Sequence, residues 1–166
     1  MLAPHTLARS NTSLRPEPPD ANEIAGLMRS GRVLLDDARN AANSLAGRFE
    51  LAYNAAHALS LAALRLRGCR PVNRYAVFQA LPHTLGLGPA TWQVLAKAHE
   101  LRNVAESAGA LEVDAGLVAD LITACGTVAV RLEAQFAARL VRGWQERGAD
   151  DRSVARKRTA AIPGTP

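Results

Sequence analysis

Apolar residues recur at three- and four-residue spacing along most of this chain, which is the period of one face of an α-helix. Residues 1–19 break the rule. "LRPEPP" and its scattered Ser, Thr and Asn carry no helical period, and prolines at that density predict a disordered arm. Asp20 is placed to cap a helix, with Glu23 three residues on completing a capping box. "EIAGLMRS" then starts a short helix, Ser30 and Gly31 interrupt it, and "RVLLDDARNAANS" resumes the pattern. "LAGRFELAYNAAHALSLAALRLRG" is apolar around most of its circumference, as a central bundle helix must be. Its polar exceptions, Glu50, Asn54 and His57, follow an i, i+4, i+7 track. Gly68 and Pro71 end it.

Asn73 caps the next segment, which Pro82 should break after about two turns. Gly86, Gly88 and Pro89 make a turn into a helix over residues 89–108, stopped by Gly109. Asp114 caps a last long helix with Leu117, Leu121, Val128, Leu132, Phe136 and Leu140 on its apolar side. Beyond Trp144 the chain turns polar and basic. No stretch alternates with period two long enough for a sheet. The reading is all-α: an antiparallel up-and-down bundle of about five helices over residues 20–145, between a Pro-rich arm (1–19) and a disordered basic tail (146–166).

Composition agrees with that picture. Over 166 residues, 48% are hydrophobic and only 4% aromatic, and alanine and leucine dominate, both strong helix formers. The chain is long enough for one domain with a core. A net charge of +5 and a pI near 10.0 are compatible with an anionic partner such as nucleic acid. Cys69 and Cys125 lack metal-ligand spacing and read as free thiols in a reduced compartment. The start lacks the apolar stretch of a signal peptide, and no charge-free apolar run of about 18 residues is present. Those features predict a cytoplasmic protein with no membrane partner.

One feature of the 89–108 helix is not explained by packing. Val94, Ala98, Leu101, Ala105 and Ala108 form its core stripe, whereas His99, Arg102, Asn103 and Glu106 share another side with Trp92 and Leu95. Arg102 and Glu106 are spaced as an ordinary i, i+4 ion pair. A face that mixes Trp, Leu and a compact polar cluster is expected to meet another helix or a second subunit.

Residues 33–140 resemble a HEPN domain. The likeness is carried by "RFELAYNAAHAL", by "LRNVAESAG" and by the long closing helix; "ALPHTLGL" beside "RNVAE" is most similar to an uncharacterised bacterial branch. The resemblance implies a dimeric helical bundle. In HEPN ribonucleases an Arg, a polar residue and a His about five positions on meet a second copy and cleave RNA without metal. Arg102 and Asn103 match the first two, but the histidine position falls on Ser107. A serine hydroxyl cannot replace an imidazole base. Catalysis is therefore lost, or His99 or His57 substitutes.

No P-loop, GxGxxG, HExxH or CxxC pattern occurs, and no cofactor or metal site is expected. Asp36 and Asp37 diverge on their helix, and His83 beside Pro82 caps or packs the kink. Arg152, Arg156, Lys157 and Arg158 would offer phosphate contacts in the tail. The sequence thus predicts a degenerate HEPN-type dimeric module binding RNA or a protein partner. Its pocket is drawn from Arg102, Asn103, Glu106, Glu50, Asn54 and His57. The alternatives are a metal-independent HEPN endoribonuclease of a toxin or stress-response system, using Arg102 with a displaced histidine such as His99, and a protein-interaction adaptor without nucleic-acid binding.

Overall fold

A computed structural model describes the backbone of residues 13–160 and the side chains of residues 13–143. Its order is β1 (Leu14–Pro16), α1 (Ala21–Arg39), α2 (Leu45–Leu66), β2 (Cys69–Pro71), α3 (Arg74–Gln79), α4 (Leu81–Thr84), α5 (Pro89–Ala108) and α6 (Ala115–Ala160). The protein is an all-α bundle with one two-stranded ribbon. The described residues fall into two units, one ending at Leu132 and one starting at Glu133.

The caps explain where the helices start. Asp20 Oδ1 accepts the backbone N–H groups of Asn22 at 2.8 Å and Glu23 at 3.0 Å. Asn73 Oδ1 accepts from Ala76 N, and Asp114 Oδ1 from Leu117 N. Pro82 sits in the first turn of α4, so the segment beginning at Asn73 divides into two short helices. Gly109 ends α5 at φ 73°, a left-handed conformation that glycine adopts without steric cost.

At the centre lies α2, with Phe49, Ala52, Tyr53, Ala56, Leu59, Ala63 and Leu64 buried. Burial over this much of its circumference is what its all-round apolar sequence demands. On α6, Val118, Leu121, Cys125, Val128, Ala129 and Leu132 form a buried stripe, while Thr123, Thr127, Val130 and Arg131 are exposed. Among the described residues one stretch, Ala115–Gly143, is long and apolar enough by length and composition to cross a membrane. The sequence criterion of a charge-free run passes over it, because Asp120, Arg131 and Glu133 lie within it. A helix packed in the core of a bundle meets the same criterion.

Four expectations are corrected. Ser30 and Gly31 do not interrupt α1, which is continuous; buried Gly31 instead packs tightly against Leu59 of α2. Glu23 forms no capping box, because its carboxylate pairs with Arg65 and Arg70. Part of the supposed arm is ordered. Leu14, Arg15 and Pro16 pair antiparallel with Pro71, Arg70 and Cys69, and Leu14 is buried with Leu64, Cys69, Ala76 and Ala80. Residues 1–12 lie outside the described residues. Finally, residues 146–160 continue α6 as helix rather than a disordered tail. Arg152, Arg156, Lys157 and Arg158 fall there, with side chains outside the described residues, as do residues 161–166.

Arg65 locks the ribbon to the helices. Its side chain is 1% exposed, yet every face of the guanidinium finds an acceptor. Nε donates to Glu23 at 3.0 Å, Nη1 to the carbonyls of Glu17 and Cys69, and Nη2 to the carbonyl of Pro18 at 2.9 Å. Nη2 also lies 3.2 Å from the Glu17 carboxylate, and Arg70 completes the network on the same two carboxylates, 2.7 Å from Glu17 and 2.9 Å from Glu23. A buried charge is tolerable only when its donors are satisfied in this way.

Candidate functional site

The polar face of α5 meets the polar track of α2. Arg102 Nε lies 3.3 Å from Glu50 and Nη1 lies 2.6 Å from Glu106, and its guanidinium carbon sits 5.0 Å from the centre of the Tyr53 ring. The arginine is thus held by a carboxylate on each helix and by an aromatic face. Burial works against its charged form. The Glu50 hydrogen bond, with the charges of Glu50 and Glu106, overrides that and raises its pKa.

His99 is the second anchor. Nδ1 lies 2.8 Å from Tyr53 Oη, and Nε2 lies 3.0 Å from the Asn103 amide nitrogen. With the amide nitrogen donating to Nε2, Nδ1–H donates to the Tyr53 oxygen. With the amide reversed, Nε2–H donates to Asn103 and Tyr53 O–H donates to Nδ1. Both arrangements engage both ring nitrogens of a neutral imidazole. Burial, then the charges of Arg74 and Arg102, lower the His99 pKa, so the neutral ring is favoured.

Four rings continue the contact from the core outward. Phe49 and Tyr53 are stacked at 6.4 Å, Tyr53 and His99 at 6.1 Å, and His99 and Tyr75 at 5.1 Å, with interplanar angles of 15°, 19° and 20°. Phe78 seals the side, 5.8 Å from Tyr53, 6.0 Å from His99 and 6.0 Å from His57. Phe49 and Tyr53 are buried, and Tyr75 is part-exposed.

His57 stands at the inner margin. Its Nε2 is buried with no hydrogen-bond partner among the described residues, and burial, then the charge of Arg74, push its pKa down to about 4. It shares the Phe78 contact with His99, but among the described residues it makes no contact that would let it work with Arg102 as a proton shuttle. Asn54 is half-buried on α2, and among the described residues no hydrogen bond joins it to the cluster. Ser107, at the place of the motif histidine, donates its hydroxyl to the Asn103 carbonyl at 3.2 Å, inside its own helix. Beside it, Asn103, Val104, Ser107 and Ala108 line a shallow depression of about 560 Å³.

Of the residues singled out from sequence, Arg102, His99, Asn103, Glu106 and Glu50 come together, His57 borders them, and Asn54 does not join. Tyr53, Arg74, Tyr75 and Phe78 belong to the site but were not foreseen. Tyr53 had a signal, since it lies three residues after Glu50 and four before His57 on one helical face. Arg74 and Tyr75 had none, because the docking of α3 against α5 is a long-range event. Asp36 faces Arg39 at 2.8 Å on the surface of α1, Asp37 is exposed, and His83 is exposed on α4, all apart from the cluster. Among the described residues no group of three or more His, Cys, Asp or Glu could hold a metal ion. Burial raises the pKa of both thiols, that of Cys125 to about 12, which favours the protonated thiol over the thiolate nucleophile. Comparison of the chain with protein families, with curated proteins and with solved structures finds no match.

Proposed function

We propose that this chain is a degenerate HEPN-type domain that works as a dimeric, non-catalytic binding module for RNA. The observation that carries the non-catalytic part is the state of His99. Both its ring nitrogens are engaged inside the chain, and Ser107 stands where the motif histidine would be. A general base must offer its lone pair to a substrate proton, and here that lone pair already has a donor. Arg102 is likewise committed to Glu50 and Glu106, so it is not free to stabilise a phosphorane.

The dimer is supported by the depression at Asn103, Val104, Ser107 and Ala108, next to the positions where a second motif would meet this one; Val104 there is 62% exposed. RNA is favoured over a protein ligand by the net charge of +5 and by the basic run after Arg139. One observation favours the ribonuclease reading: His99 lies one turn from Arg102 and is held neutral, the form a base requires.

A single assay separates these readings. Mixed RNA is incubated with the full chain in EDTA, and its size and binding are both followed. The proposal expects binding that weakens as salt rises, a particle of twice the chain mass, and intact RNA. Cleavage lost in Arg102→Ala would establish the ribonuclease instead. A chain that binds no RNA at low salt would leave the protein-interaction adaptor.

A further inference from the structure

The ring column ends at part-exposed Tyr75, and the residue before it, Arg74, is a cation that enters no ion pair of the cluster. Arg102 is balanced by Glu50 and Glu106, whereas exposed Arg74, one residue before Tyr75, has no ion pair among the described residues. The charge of Arg74 nonetheless acts on Tyr53, His57 and His99, which places it within electrostatic reach of the column. Tyr75 itself is part-exposed and lies 5.1 Å from His99 in near-parallel stacking. His99 in turn is fixed by Tyr53 and Asn103, which makes the column a rigid support rather than a loose ring. We infer that Tyr75 stacks an unpaired base of single-stranded RNA while Arg74 holds the adjoining phosphate.

This inference rests on the RNA-binding reading and names its ligand class. A π-face beside a spare cation is the minimal unit of single-strand recognition: stacking tolerates any base, and the cation tracks the backbone. A duplex hides its base faces and cannot use the platform. The basic run after Arg139 would bind phosphates in either form, so the two contributions are separable.

The test is fluorescence anisotropy of the full chain with three labelled probes of equal phosphate number: a short single-stranded RNA, its duplex, and an abasic strand. Tyr75→Ala should weaken the single strand at least about fivefold and leave the duplex and abasic strand unchanged. Tyr75→Phe, which keeps the ring, should restore binding. Arg74→Ala is a surface change that leaves the packing intact, and it should flatten the log–log salt slope by about 0.7. If RNA binds but Tyr75→Ala loses affinity equally for all three probes, or for none, the stacking site is wrong and the RNA reading stands. The stacking site is equally overturned if Arg74→Ala changes neither affinity nor slope. If the unaltered chain binds none of the three, both fall.

Discussion

Gly31 of α1 lies against Leu59 of α2 so closely that a Cβ added to it would stand 2.5 Å from Leu59 Cγ and 2.8 Å from Cδ2. The carbonyl oxygen of Ala55 would be 3.3 Å away. A glycine in mid-helix costs about 1 kcal/mol relative to alanine, yet here it sets how near the two helices can come. Gly31→Ala should therefore destabilise the protein by about 1–3 kcal/mol despite the better helix former. Urea denaturation followed by circular dichroism checks the sign; an increase in stability would mean that Leu59 can move aside.

Arg65 has its own consequence. Removing the side chain in Arg65→Ala leaves the carbonyls of Glu17 and Pro18 and part of the Glu23 carboxylate without their donor. A loss of about 3 kcal/mol is expected, from the carbonyls left without a donor and the space emptied by a buried side chain, while Arg70 still pairs both carboxylates. Limited proteolysis should then cut near Pro16–Pro19 long before the bundle opens. Arg65→Lys should rescue little, since one ammonium cannot reach the acceptors that the fork spans.

Acid acts through His57. Its pKa is depressed in the folded chain to about 4 from 6.5, so the unfolded chain binds more protons between those values. Stability should be constant above pH 6.5, fall as the pH drops towards 4, and level off for this group below that. The loss is on the order of 2 kcal/mol once partial exposure of the ring is discounted. His57→Leu should flatten this limb in denaturation midpoints measured across the range. It also removes the unpartnered Nε2, so stability at pH 7 should hold or rise.

Glu17 contributes with the opposite charge and the same direction. The Arg70 hydrogen bond lowers its pKa, against a smaller effect of burial and with help from the Arg65 charge. A depressed carboxylate stabilises the fold above its unfolded value of 4.5, and that contribution disappears as pH falls through the folded value. Glu17→Gln should remove it, seen as a shallower decline below pH 4.5 in the same midpoints.

Arg102→Ala should cost only about 1 kcal/mol in thermal or urea unfolding, from the lost contact with Tyr53 and two part-exposed ion pairs. A much larger loss would mark Arg102 as a keystone of the α2–α5 contact. Glu106, 60% exposed, should tolerate Gln with a change of a few tenths of a kcal/mol.

Local signals made the helices legible. The three-four spacing, the caps at Asp20, Asn73 and Asp114, and the break at Pro82 all act within one or two turns. The same logic placed His99, Arg102, Asn103 and Glu106 on one face and Glu50 on the track opposite. What escaped depends on residues distant in sequence. Three-residue strands are too short to show a period, so β1 reads as part of the Pro-rich arm and β2 as the end of the preceding helix. Gly31 has the spelling of an interruption, and only the position of Leu59 reveals it as a contact. Tyr75 reaches His99 through the docking of α3, which no spacing on one helix encodes. The long polar stretch after Trp144 has the composition of a solvated tail, yet its backbone stays helical to Ala160, where alanine and arginine are strong helix formers.

The ribbon also sets an order of events during synthesis. Leu14–Pro16 leave the ribosome first, but their hydrogen-bonding partner, Cys69–Pro71, follows only after α1 and α2 have been made. Arg65, which fastens the carbonyls of Glu17 and Pro18, is made late as well. The α1–α2 hairpin can close on local contacts while the beginning of the chain waits unpaired. A fragment ending before Arg65 should carry a helical hairpin with Leu14–Pro16 unpaired, and lengthening it past Pro71 should protect that segment from protease in one step.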